Sequence, residues 1–160
     1  MNTGIFKTFI EKWAIGDQRQ PLTTAEVTTL EKGLGASLPL SYRQFLMTVG
    51  PVSMSLALLD SIVDQQLDIA GVQDFYDPAQ VLWETRAWQP LGLPEDLFAI
   101  ASDGAGNKFC LPIPETAKGA ADDASVWFFD HEEPEAYDTE VPFTEWIAMF
   151  ANIANTAPPL

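Results

Sequence analysis

Cys110, His131 and Asp130 are the residues here whose types could make and break bonds, as nucleophile, base and orienter of an acyl-transfer site if the fold brought them together. Spacing leaves that open. The surroundings of Cys110 argue against it: the thiol stands inside the apolar run NKFCLPI, where a free cysteine behaves as a small buried hydrophobe with a raised pKa. Lys108 is the only base near it in sequence. The expectation is that no catalytic residue is present.

The stretch FAIASDGAGNKFCL, residues 98–111, resembles two loop chemistries and satisfies neither. Counted as a calcium loop from Asp103, it offers Asn107 at the fifth position. It has Lys108 where the sharp-turn glycine belongs and Pro114 where a bidentate glutamate belongs. As a phosphate cradle it lacks the third glycine of a dinucleotide fingerprint and the Lys-Ser/Thr of a P-loop. A turn fits: Asp103 and Asn107 can bond their own backbone, and Gly104 and Gly106 supply positive φ at no steric cost. One cysteine and one histidine cannot furnish a zinc site. The acids of DHEEPEAYD show no ligand periodicity and read as a solvated charge run. No metal and no cofactor are expected.

The charge balance points to recognition of another molecule. Twenty-three acids against eight bases give a net charge of −15, a surface that repels nucleic-acid phosphates and anionic lipid. The excess is uneven: residues 1–80 hold nine acids and five bases, residues 81–160 fourteen and three, and nothing basic follows Lys118. The candidate contact residues are therefore Asp122, Asp123, Asp130, Glu132, Glu133, Glu135 and Asp138. Trp13, Trp127 and Trp146 fall on apolar stripes or in a strand and are assigned to the core. Trp83 and Trp88, five apart on one helix, cannot fully share a face, which makes one of them a candidate anchor.

These groups need a scaffold, and 160 residues suit one domain, 1–160, that buries roughly 70% of its unfolded surface. Phe6, Phe9, Ile10 and Trp13 mark a first amphipathic helix that ends near Gly16. Thr23 with Glu26 forms a capping box, Leu22 with Val27 a hydrophobic staple, and Gly33 or Gly35 closes the second helix. LPLSYRQFLMTVG gives a third, stopping at Gly50, and DPAQVLWETRAWQP a fourth, capped by Asp77 and ended by Pro90. After Pro94, LFAIAS, NKFCLPI and SVWFFD read as strands, and PFTEWIAMFANIA as a closing helix ahead of a frayed APPL tail. Helices followed by strands imply an α+β fold whose sheet is largely antiparallel, with helices on one side of it. LFAIAS and VWFFD, apolar at successive positions, belong at its doubly covered centre. GPVSMSLALLD, the densest apolar stretch, falls far short of the ~20 residues of a membrane helix. The N-terminal MNTGIFKTFIEKW lacks a secretory pattern, so a cytoplasmic location is expected.

LPLSYRQFLMTVG at 38–50, FAIASDGAGNKFCL at 98–111 and VWFFDHE at 126–132, in that order and spacing, resemble the SUKH superfamily, specifically its Smi/Knr cell-wall-regulator-like branch. The resemblance runs from about Thr23 to the C-terminal helix. It implies an α+β domain with helices around a mixed sheet and no known catalytic machinery. Many bacterial members are immunity proteins encoded beside a polymorphic or contact-dependent toxin, often a nuclease, which they neutralise by binding. Yeast relatives act as signalling adaptors. Leu38, Pro39, Tyr42, Phe45, Leu46, Gly50, Asp103, Gly104, Gly106, Asn107, Leu111, Trp127, Asp130 and His131 carry the likeness, chiefly as fold signatures. The proline-bearing LPIPE departs from the pattern. The resemblance thus implies stoichiometric occlusion of a cognate toxin encoded nearby, with a regulatory adaptor as the alternative. No direct nucleic-acid or membrane contact is expected, and the chain would be a monomer or weak homodimer. A nuclease is basic where it holds phosphate, so an acidic protein is steered onto it.

Overall fold

Side-chain capping by Thr23 and by Asp77 sets the start of two helices. The computed structural model describes residues 4–16, 20–114 and 121–158. Helix α1 (Gly4–Trp13) buries Phe6, Phe9, Ile10 and Trp13, the stripe read from its spacing. Helix α2 (Thr24–Leu34) starts at Thr23, whose side chain and backbone exchange hydrogen bonds with Glu26, and ends at Gly35. Helix α3 (Leu40–Thr48) has Pro39 as its cap and no side-chain cap bond. Its first amides donate instead to the carbonyls of Ala121 and Asp122. Helix α5 (Pro78–Trp88) carries a second capping box, Asp77 with Gln80.

Two elements were not foreseen in this region. Helix α4 (Leu56–Asp64) forms from part of the apolar stretch GPVSMSLALLD, and a two-residue strand, β1 (Asp74–Phe75), pairs with Ser102 and Ala101. Neither announces itself, because α4 is apolar on two faces and lacks a side-chain cap bond, while β1 is too short for any alternation to show.

The sheet continues with β2 (Leu97–Ser102), β3 (Lys108–Pro112), β4 (Ser125–Asp130) and β5 (Glu135–Pro142), in the order β1-β2-β3-β4-β5 with every pairing antiparallel. Strand β3 stops at Pro112, within LPIPE; Glu115 lies outside the described residues, as do Pro159 and Leu160 of the tail. Strand β5 corrects the reading of DHEEPEAYD as a mere charge run: its first residues turn the chain and the rest form an edge strand. An edge lined by Glu135, Asp138 and Glu140 resists pairing with a foreign strand.

The sheet is covered on both faces, which corrects the one-sided expectation. Helix α6 (Phe143–Ala151) packs on one face, where Trp146 meets Phe109 at 5.0 Å between ring centroids. Helices α1 and α3 join it through Phe6, Phe45 and Phe143. Helix α5 covers the other face: Thr85 accepts a hydrogen bond from the Ala99 amide at 2.9 Å, and Trp88 meets Phe129 edge-on at 5.9 Å. The buried side chains of all these layers form one continuous core.

Candidate functional site

Strand register separates the would-be catalytic residues. Cys110 faces Trp127 across β3 and β4, and Lys108 faces Phe129, so His131 lies four residues further along, about 13 Å away at a strand rise. Cys110 is fully buried, and desolvation pushes its thiol well above its ordinary value despite the charge of nearby Lys108. Among the described residues, no group of three His, Cys, Asp or Glu side chains is placed to hold a metal ion.

The turn between β2 and β3 is built as its composition implies, and it does one thing more. Asp103 Oδ1 accepts from the amides of Ala105 (2.9 Å) and Asn107 (3.0 Å), and its Oδ2 accepts from Asn107 Nδ2 at 2.8 Å. That bond orients the amide, leaving Asn107 Oδ1 to accept from the His131 backbone N–H at 3.2 Å and the ring Nδ1–H at 2.7 Å. Gly106, at φ +98, lies so close that a Cβ there would stand 3.0 Å from the His131 ring. The β2–β3 turn is therefore a latch on the β4–β5 turn.

The latch positions an acidic tip. Asp130 Oδ1 accepts from the amides of Glu132 (2.9 Å) and Glu133 (3.3 Å), which spends Asp130 on folding the turn. Pro134 abuts Gly92, where a Cβ would come within 2.5 Å, so the tip rests on the segment after α5. Glu132, Glu133, Glu135 and Asp138 are exposed, and among the described residues none of them pairs with a lysine or arginine. Asp138 Oδ1 accepts from the Glu140 amide at 2.8 Å.

The other acidic candidates belong elsewhere. Asp123 accepts from Ser41 Oγ at 2.7 Å and from the Ala124 and Thr144 amides, tying the starts of α3 and α6 together. Asp122 is exposed beside it, at the opposite end of β4, about 20 Å from the tip. The seven acids are thus not one patch. The tryptophans divide as well: Trp83 is 71% exposed, whereas Trp88 packs on Phe129 and His131 and donates to Glu84 at 3.2 Å. Leu91, 56% exposed, follows Trp88 in the 3-10 turn next to the acidic tip.

Sequence reading missed a buried charge under this region. Lys108 donates to the Tyr76 hydroxyl at 2.6 Å and pairs with Glu84 at 3.2 Å, beneath the rings of Tyr76 and Trp88. Burial disfavours the Lys108 charge, but the Tyr76 hydrogen bond and the Glu84 carboxylate outweigh it, and its pKa rises. Burial raises Tyr76, and its bond to Lys108 offsets only part of that. The signal available was the strand alternation itself, which puts Lys108 on the same face as Cys110.

The fold and the ordered motifs are matched by a model of the SMI1 / KNR4 family (SUKH-1), which covers residues 21–149. The chain belongs to this family. No curated protein matches it. The SUKH-1 match takes in α2 through most of α6, hence both turns, the latch and the buried lysine. Membership is consistent with an immunity type of function and with a protein partner. Among the described residues, no helix of this SUKH-1 chain is long and apolar enough to cross a membrane.

Proposed function

We propose that this chain is an immunity protein that binds a cytotoxic protein partner in the cytoplasm and neutralises it by covering its active surface, without chemistry of its own. The observation that carries the reading is the acidic tip: Glu132, Glu133 and Glu135 stand exposed and without a cationic partner among the described residues, on a turn held by Asn107, Asp130 and Pro134. Desolvating a preorganised carboxylate cluster is favourable only against a cationic surface, as on a nuclease that grips phosphate. Trp83 and Leu91 supply apolar anchors on the adjoining helix and turn. Asp138 extends the acidic surface along β5, and Asp122 lies outside this footprint. Trp88, Asp123 and Asp130 contribute by holding the scaffold.

Co-expression with the toxin encoded beside this gene tests the reading. Growth should be rescued by the wild-type chain and lost with Glu132→Lys/Glu133→Lys/Glu135→Lys, which changes only exposed positions. A chain that neither rescues growth nor binds any neighbouring toxin overturns the proposal and leaves the regulatory adaptor in its place.

A further inference from the structure

Helix α4 carries an apolar face that the described residues leave exposed. Leu58 and Ile62 point into the core, while Leu56, Leu59 and Val63, spaced i, i+3 and i+7, are 66%, 42% and 66% exposed. Leu67 continues the stripe beyond the helix end at 37%. The stripe borders a trough of about 810 Å³ that reaches Ile69, Gln73 and the β2–β3 turn at Asp103 and Gly104. Ile69 and Ala70 also line a second groove of about 300 Å³, floored by Phe109, Phe128 and Trp146 and flanked by Tyr137. The trough beside α4 and the groove on the α6-covered face of the sheet thus adjoin at Ile69 and Ala70.

The charged side chains of the trough's lining, Asp74 and Asp103, are acidic. Asp60, Asp64 and Asp68 are exposed along α4 and its exit, Asp74 and Asp103 close the far side, and among the described residues no Lys, Arg or His lines the trough. We propose that this trough receives an amphipathic helix of a partner protein, with apolar residues at i, i+3, i+4 and i+7 and lysine or arginine along its flanks. Charge selects this occupant. A second copy of the chain would set Asp60, Asp64 and Asp68 against themselves, and an anionic bilayer would be repelled likewise. The surface is distinct from the acidic tip and stands whether or not the partner is a toxin.

The probe is a fluorescent Leu/Lys peptide of about four helical turns with that periodicity, set against a scramble of the same composition. Anisotropy titration of the full chain should show the amphipathic form binding at least about tenfold tighter than the scramble. Leu59→Ser/Val63→Ser should weaken it by about tenfold or more, and Asp60→Asn/Asp64→Asn/Asp68→Asn should flatten its salt dependence. At about 1 M salt, where screening reaches only about 3 Å, Glu132→Lys/Glu133→Lys should leave the binding unchanged while Leu59→Ser/Val63→Ser still weakens it, so this result and the toxin test fail separately. Equal binding of the scramble, or indifference to Leu59→Ser/Val63→Ser, overturns the proposal. So does a dimer seen by sedimentation that Leu59→Ser/Val63→Ser dissociates, which would make a second copy the occupant.

Discussion

Asn107 is the position at which the latch can be broken with one substitution. Its side chain takes part in three hydrogen bonds, one donated to Asp103 and two accepted from His131, at 2.8, 3.2 and 2.7 Å. At roughly 0.5–1.5 kcal/mol net for each bond, and with water replacing part of what is lost at this half-buried site, Asn107→Ala should cost about 2 kcal/mol. With a urea m-value of about 2 kcal/mol/M for a chain of this size, the unfolding midpoint should fall by about 1 M. Hydrogen exchange at the Glu132–Glu135 amides should accelerate beyond the global change, because the tip opens first. Asn107→Asp is the sharper test. Its carboxylate still accepts from His131, but it sets a second oxygen 2.8 Å from Asp103 Oδ2, where the amide had donated. Two carboxylates in contact raise each other's pKa in the folded state. The stability of this variant is therefore complete below the ordinary carboxylate range and lost as pH rises through the folded values. Urea titrations should find it destabilised at pH 7 and recovering towards pH 4.5. An Asn107→Asp chain as stable as wild type at pH 7, with no pH-dependent difference, would refute the latch.

Iodoacetamide should leave native Cys110 unmodified and label it once the chain is unfolded in denaturant, because burial keeps the thiol protonated; rapid native labelling, read by mass, would reopen the catalytic reading. Tyr42→Phe should be neutral or stabilising by up to about 1 kcal/mol in thermal melts, since the buried Tyr42 hydroxyl has no hydrogen-bond partner among the described residues; a loss of 2 kcal/mol or more would mean that the hydroxyl is satisfied. Tyr76 and Lys108 both titrate above their ordinary values of 10.0 and 10.5, so the stability they add is complete below about pH 10 and disappears as pH rises through the folded values. Denaturation across pH 8–11 should show that decline, and Lys108→Met should remove the part due to Lys108; a flat wild-type profile contradicts the buried cluster.

Elements with their own chemistry were legible in the sequence, and those decided by packing were not. The α2 capping box, the Asp77 cap of α5 and the doubly buried run of β2 stand where composition puts them, because each is set within a few residues of chain. Strand β4 does not: β3 is the middle strand, and Trp127, assigned to the core, and Phe128 are only partly buried. Strand β5 hid inside an acidic run: Tyr137, Thr139 and Val141 give the alternation, but the exposed acids between them read as solvent-facing coil. The site shows the same division. The Asp103–Asn107 turn was legible from its residue types, whereas its grip on His131 depends on two hairpins lying side by side. The acidic tip was legible as charge. That Asp123 had already been spent on helix starts was not, since hydrogen-bond partners 21 and 82 residues away leave no local trace. Asp130 is spent locally, on the Glu132 and Glu133 amides of its own turn, inside a stretch read only as a charge run.

Sheet order places the two unpartnered surfaces at one end of the molecule. The β2–β3 and β4–β5 turns close neighbouring hairpins, two strand spacings or about 10 Å apart. Asp103 and Gly104 line the α4 trough on one side, while Gly106 and Asn107 hold His131 and the acidic tip on the other. A standard interface of about 800 Å² per partner is wide enough to span both. If the protein partner of the proposed function covers that end, Leu59→Ser/Val63→Ser and Glu132→Lys/Glu133→Lys should each weaken the same complex. The first should act mainly on dissociation, through lost apolar contact, and the second on association and its salt dependence, through lost steering. Because the two sets share no contact, their free energies should add in the quadruple variant. Kinetic binding measurements on the four chains decide the matter: a complex that responds to only one set has a footprint confined to one side of the turn, and the spanning argument then fails.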